Sequence, residues 1–186
     1  MSHTRRIVVS EFLSLDGVMQ DPAWTAPYWN DQIAAFKGEE TDAADLLLLG
    51  RVTYEMFAAH WPSSTDEAAD QINALGKVVV TDTLTQADLD RDGWNAAVLD
   101  GGVPDGIRHL KQRPGGDLLV WGSGHLARAL LHHRLVDELR LIVYPLLLGT
   151  GQRLFSGQQH AAFTRAESHA FRSGATALVL HPAENA

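Results

Sequence analysis

The sequence predicts an α/β fold: a three-layer sandwich around a mostly parallel mixed sheet, closed by a C-terminal antiparallel hairpin. Short, continuous apolar runs such as ADLLLLG (44–50) and DLLVWG (117–122) suit strands buried on both faces. Segments with helical spacing alternate with these runs through most of the chain. From VDELRLIVY (136–144) onward the pattern holds strands alone, which implies a final antiparallel pair.

Taken in order, RRIVVSEFLSL (5–15) reads as the first strand. DGVMQDPAWTAPYWN (16–30) is a long loop, and its large aromatics suggest that it folds over something. The next segment is a helix, with Ile33, Phe36 and Lys37 on one stripe and Asn30 or Asp31 as its cap. ADLLLLG is a strand, and RVTYEMFAAHW (51–61) a helix closed by Pro62. TDEAADQINALG (65–76) predicts a helix capped by Thr65 or Asp66 and ended by Gly76. KVVVTDT (77–83) and WNAAVLDGG (94–102) read as strands. VPDGIRHLKQRPGG (103–116) reads as a helix despite Gly106. DLLVWGSG gives a strand, HLARALLHHRL (125–135) a helix, and the tail two strands around Ser173-Gly174.

No linker, repeat or charge block divides the chain, so residues 1–186 predict a single domain. A formal net charge of −8 argues against non-specific binding to nucleic acid or to anionic membranes. No apolar run reaches the ~18 residues of a membrane span. The N-terminal segment predicts a strand and no signal peptide, so a cytoplasmic protein acting on a small molecule is expected. Without cysteine there is no disulfide, thiolate metal site or cysteine nucleophile. The nine histidines show no metal-ligand spacing, and no metal is expected. There is no G-x-S-x-G elbow, which disfavours a hydrolase. Glu39 and Glu40 are adjacent and are expected in water at a helix end.

Three strand ends carry chemistry. In LLLLGRVTYE, Gly50 lets a ligand approach the backbone, Arg51 adds a forked cation and Thr53 a hydroxyl. In VWGSGHLA, Gly122, Ser123 and Gly124 resemble a phosphate turn before a helix N-terminus. The following strand has no carboxylate at its C-terminal end for a ribose diol, so a Rossmann NAD site is the weaker reading. In VVVTDTL, Thr81, Asp82 and Thr83 stand where open α/β sheets bind ligands. Each junction alone is explained by an ordinary turn; together they point to one ligand with several phosphates. Glu11, in an otherwise apolar strand, would have a raised pKa if buried and could act as an acid.

SEFLSLDGVMQDP, LLLLGRVTYEMF, KVVVTDTL, LLVWGSGHLARALL and YPLLLGTGQRLF together resemble the dihydrofolate reductase-like superfamily. The nearest branch resembles the C-terminal reductase domain of the bacterial bifunctional riboflavin-biosynthesis deaminase-reductase. The resemblance runs from Ile7 to about Leu180. It implies NADPH lying across the strand ends. Gly50, Arg51 and Thr53 would hold phosphates, with Thr81 near the adenosine 2′-phosphate. Gly122, Ser123, Gly124 and His125 would line the pyrophosphate turn. Ser14, Asp16, Gly17 and Val18 would border the nicotinamide, under a lid bearing Trp24, Tyr28 and Trp29. A homodimer is implied as well.

Matching the Phe36-Lys37 pair to the first helix of dihydrofolate reductases puts Gln32 where they carry an acid. That departure favours a ribosylamino-pyrimidine phosphate over dihydrofolate as substrate. The sequence therefore predicts an NADPH-dependent reductase with catalytic candidates Glu11, Ser14, Asp16 and Gln32. The alternatives are dihydrofolate reductase-type activity and a non-catalytic nucleotide-binding protein on the same fold.

Overall fold

The computed structural model describes residues 4–157 and 161–183. Its regular elements are β1 (Ile7–Ser14), α1 (Asp31–Ala43), β2 (Ala44–Gly50), α2 (Arg51–His60), α3 (Ala69–Ala74) and β3 (Gly76–Val80). They continue with α4 (Gln86–Asp92), β4 (Ala96–Val98), α5 (Ile107–Lys111), β5 (Asp117–Trp121), α6 (Gly124–His132) and β6 (Glu138–Tyr144), then β7 (Phe163–Ala170) and β8 (Thr176–Pro182). The sheet order is β4-β3-β2-β5-β1-β6-β8-β7. Strands β1 to β6 pair in parallel, while β8 is antiparallel to both β6 and β7.

The apolar runs predict the centre of the sheet because helices cover both of its faces. Leu47, Leu48 and Leu49 of β2 have no exposed surface, and full burial of such a side chain contributes roughly 1.5–3 kcal/mol. On one face Ile7, Val9, Leu13 and Leu48 pack against α5 and α6 through Ile107, Leu110, Leu126 and Leu130. On the other, Val8, Leu47 and Leu49 meet Tyr54 of α2 and Ile72 of α3. Ile33 and Phe36 of α1 cover the β6-β8 side of that same face. Asn30 caps α1, its side chain accepting from the N–H groups of Gln32 and Ile33.

Several boundaries differ from expectation. The third helix is only six residues long, its N-cap is Ala68 rather than Thr65 or Asp66, and Gly76 opens β3 instead of ending the helix. α4 falls in a stretch that the apolar pattern leaves as a connection, because Leu89 is its one buried residue. The helix expected from Val103 is split into an irregular π turn over Gly102–Gly106 and a short α5. At Gly106 a Cβ would collide with the carbonyl oxygen of Asp100, a contact that only glycine avoids.

Candidate functional site at the strand ends

The parallel strands end together, and the sheet opens between two of them. β5 pairs with β1 only as far as Ser10↔Trp121, whereas β1 continues beside β6 to Ser14↔Tyr144. Residues 11–14 therefore have no sheet partner on the β5 side. The chain leaves β5 at Gly122 and Ser123, both left-handed, each with φ +58°. Helices α1 to α4 lie on one face and α5 and α6 on the other, so this crevice sits where α/β sheets take ligands.

The phosphate-turn candidates come together here. Gly50 N–H donates to Ser123 Oγ at 3.0 Å, and Ser123 N–H donates to Thr53 Oγ1 at 3.0 Å. A Cβ on Gly122 would stand 3.3 Å from Thr53, and one on Gly124 2.7 Å from Met19 Sδ. The turns thus form a close-packed cradle built around glycine. The hydroxyls of Thr53 and Ser123 stitch the two junctions together. Neither α2 nor α6 has a side-chain N-cap, and the leading N–H groups of both are left for an anion. His125 is exposed on the first turn of α6.

Three other candidates are engaged inside the chain. Arg51 is no free cation: it donates to Glu55 Oε2 at 2.8 Å, with both side chains nearly half exposed. Thr81 Oγ1 accepts from the N–H groups of Thr83 and Leu84 and so closes the turn after β3. Gln32 Oε1 accepts from Arg172 N–H at 2.9 Å. Gln32 is thereby committed to the β7–β8 turn and does not join the β1 side chains, because its step on α1 faces the hairpin.

Ser14 and Asp16 fasten loops. Ser14 Oγ donates to Asp16 Oδ1 at 2.7 Å and accepts from Val18 N–H at 3.0 Å. Asp16 also accepts from Leu148 N–H, Gly149 N–H and Arg153 Nη2. The Ser14 hydroxyl, then the Leu148 amide, hold the Asp16 carboxyl well below the usual carboxylate range. With these partners the two residues clamp the loop after β1 to the loop after β6. Gly17 turns at φ +78°, and Val18 is buried and bridged to Arg153 in the same clamp. The aromatic segment packs on β6: Trp24, Tyr28 and Phe12 surround Tyr144 edge-on at 5.5–5.7 Å, and Trp29 meets Phe12 at 6.3 Å.

Glu11 is buried, with 3% of its surface exposed, and its Oε1 has no hydrogen-bond partner among the described residues. Burial, reinforced by Glu40 and opposed by Lys37, pushes its carboxyl well above the ordinary range. Glu40 is itself buried at 2% exposure, which overturns the expectation that it sits in water; only Glu39 does. The signal was present, since Ile33, Phe36, Lys37 and Glu40 form one helical stripe. Among the described residues no three metal-binding side chains gather, and no helix is long and apolar enough to cross a membrane.

This architecture defines a class: an α/β sheet whose crevice pairs two uncapped helix starts with a buried acid. The family model described as the RibD C-terminal domain matches residues 5–177, and the chain belongs to that family. The uncharacterized protein YyaP of Bacillus subtilis is 26% identical over 184 residues, covering 95% of each chain. A solved diaminohydroxyphosphoribosylaminopyrimidine deaminase/5-amino-6-(5-phosphoribosylamino)uracil reductase from Thermotoga maritima superposes with a TM-score of 0.65 at 14% identity, over 97% of this chain and 57% of that one. Dihydrofolate reductase from Enterococcus faecalis, solved with NADP(H), gives 0.64 at 13% identity, over 96% and 97% of the two chains.

Proposed function

We propose that this protein is an NADPH-dependent reductase acting on a heterocyclic or carbonyl substrate, of the type that reduces 5-amino-6-(5-phosphoribosylamino)uracil. The observation that carries the reading is the pair of uncapped helix starts, α2 and α6, stitched side by side at the mouth of the β1/β5 crevice. Gly122 and Gly124 let the two junctions pack closely against Thr53 and Met19. Two helix N-termini present unpaired N–H groups and partial positive charge, which suit a pyrophosphate. Arg51 stands on the first turn of α2, where exchanging Glu55 for a phosphate would favour NADPH over NADH.

When bound, NADPH supplies the hydride. The chain binds and orients it, and the clamp around Asp16 shapes the wall of the crevice. Membership of the RibD C-terminal domain family and the fold shared with an NADP(H)-bound reductase support this reading. The family resemblance also supports a homodimer as part of the proposal. Gln32, held by Arg172, speaks against dihydrofolate reductase-type activity. It equally leaves open a protein that binds the nucleotide without consuming it. A fluorescence titration of NADPH against NADH, followed by NADPH oxidation with 5-amino-6-(5-phosphoribosylamino)uracil, tests the proposal. NADPH is expected to bind more tightly and to be consumed. Equal and weak binding of both nucleotides would sink the cofactor assignment, and binding without consumption would favour the non-catalytic reading.

A further inference from the structure

Beside the crevice the chain buries three ionisable groups that phosphate binding does not use. Lys37 Nζ donates to Ser10 Oγ at 2.8 Å and to Glu40 Oε2 at 2.6 Å. Glu40 also accepts from Ser10 Oγ at 2.8 Å and from Trp121 Nε1 at 2.8 Å. The ammonium lies 4.3 Å from the ring centre of Trp121 and 5.2 Å from that of Phe12. Glu11 follows Ser10 in β1, with its Oε1 buried and unpartnered among the described residues.

One ammonium balances one carboxylate. Glu40 has three donors and takes that charge, whereas a second anion on Glu11 would be buried without a full set of donors. A bare buried charge costs several kcal/mol, so the favoured state keeps a proton on Glu11. The groups acting on Glu11 are divided: burial and Glu40 of α1 favour the proton, while Lys37 of α1 and the Gly122 amide after β5 favour the carboxylate, with Arg140 of β6 acting on Lys37. Burial raises Glu11 more than Lys37 lowers it.

We propose that Glu11 is the proton donor of the reduction, and that Glu40, by holding the Lys37 ammonium, is a positioning residue that keeps the proton there. The proposal rests on the reductase reading. Reduction of a C=N or C=O bond adds a hydride to carbon and a proton to the heteroatom. The hydride comes from the dihydronicotinamide, which is oxidised. The Glu11 O–H bond breaks, an N–H or O–H bond forms on the substrate, and Glu11 becomes a carboxylate. Lys37 lowers the cost of that anion, and a proton from solvent restores the acid between turnovers. Glu11 lies on the part of β1 whose β5-side edge is unpaired, beside the crevice, and as donor it must come within hydrogen-bond reach of the bound ring.

Infrared spectroscopy of the ligand-free protein at about pH 8, where ordinary carboxyls are ionised, locates the proton. Wild type should show a protonated-carboxyl stretch that shifts in D2O and is lost in Glu11→Gln. In Glu40→Gln, Glu11 is the one remaining carboxylate whose charge acts on Lys37, so the band should vanish although Glu11 is intact. A wild type without the band, or a band that survives in Glu40→Gln, overturns the charge assignment. Should Glu40→Gln fail to fold, the wild-type and Glu11→Gln spectra decide. With 5-amino-6-(5-phosphoribosylamino)uracil as probe, kcat of Glu11→Gln should fall about 10²-fold or more with KM little changed. An unchanged kcat overturns the donor role. If wild type binds no NADPH, the reductase reading fails while the infrared result still fixes the proton.

Discussion

In the free chain Glu55 holds the guanidinium of Arg51 one helical turn away. Such an exposed i,i+4 pair is worth about 0.2–0.5 kcal/mol. A charge-assisted bond to a phosphate contributes about 1.5–3 kcal/mol, so a phosphate within reach wins the competition. Arg51→Ala should therefore raise the NADPH dissociation constant about tenfold or more. Glu55→Gln, which frees the guanidinium, should lower it about twofold. Both are read by fluorescence titration, and an unchanged constant in Arg51→Ala would leave Glu55 as the sole task of Arg51. At this scale the sequence reveals residue type better than partner. Gly50, Gly122 and Gly124 are legible as turns after buried strands, and only their conjunction, not any one of them, suggests a shared site. That Thr53 and Ser123 bond each other across 70 positions is not legible, since spacing along the chain says nothing about that contact. Glu40 escaped for another reason: an acid near a helix end is usually solvated, and here the stripe of Ile33, Phe36 and Lys37 carries it inward.

Elements are legible in proportion to the apolar surface they bury. β2 and β5 are central strands with long apolar runs, and their limits agree closely with the pattern. α4 buries one side chain and so escapes any reading based on periodicity. Its own signal is chemical: Thr85 Oγ1 accepts from Asp88 N–H at 3.3 Å, and Asp88 Oδ2 accepts from Thr85 N–H at 2.8 Å. This reciprocal cap, with left-handed Gly93 at the far end, holds a seven-residue helix too short to persist alone. Thr85→Ala should then cost about 1 kcal/mol and lower the melting temperature by roughly 2–4 °C. Urea and thermal unfolding followed by circular dichroism measure both. No loss would mean that Leu89 packing alone keeps α4 in place.

At the scale of the molecule, the crevice is assembled from pieces far apart in sequence. The α2 and α6 starts are stitched through Thr53 and Ser123, and the loop after β1 is clamped to the loop after β6 through Asp16. A nucleotide spanning both assemblies binds only when both are formed, so it binds the folded chain and not the unfolded one. Linkage then converts affinity into stability. At a free concentration about a hundred times the dissociation constant, the gain is about 2.7 kcal/mol. For a chain of 186 residues each kcal/mol moves the midpoint by about 2–4 °C, so saturating NADPH should raise it by roughly 5–10 °C. NADH at the same concentration, if bound tenfold more weakly, should give about half that shift. Differential scanning measures the two side by side. Equal shifts would remove any role for Arg51 in recognising the 2′-phosphate, and no shift with either nucleotide would mean that the stitched helix starts hold together without serving a dinucleotide.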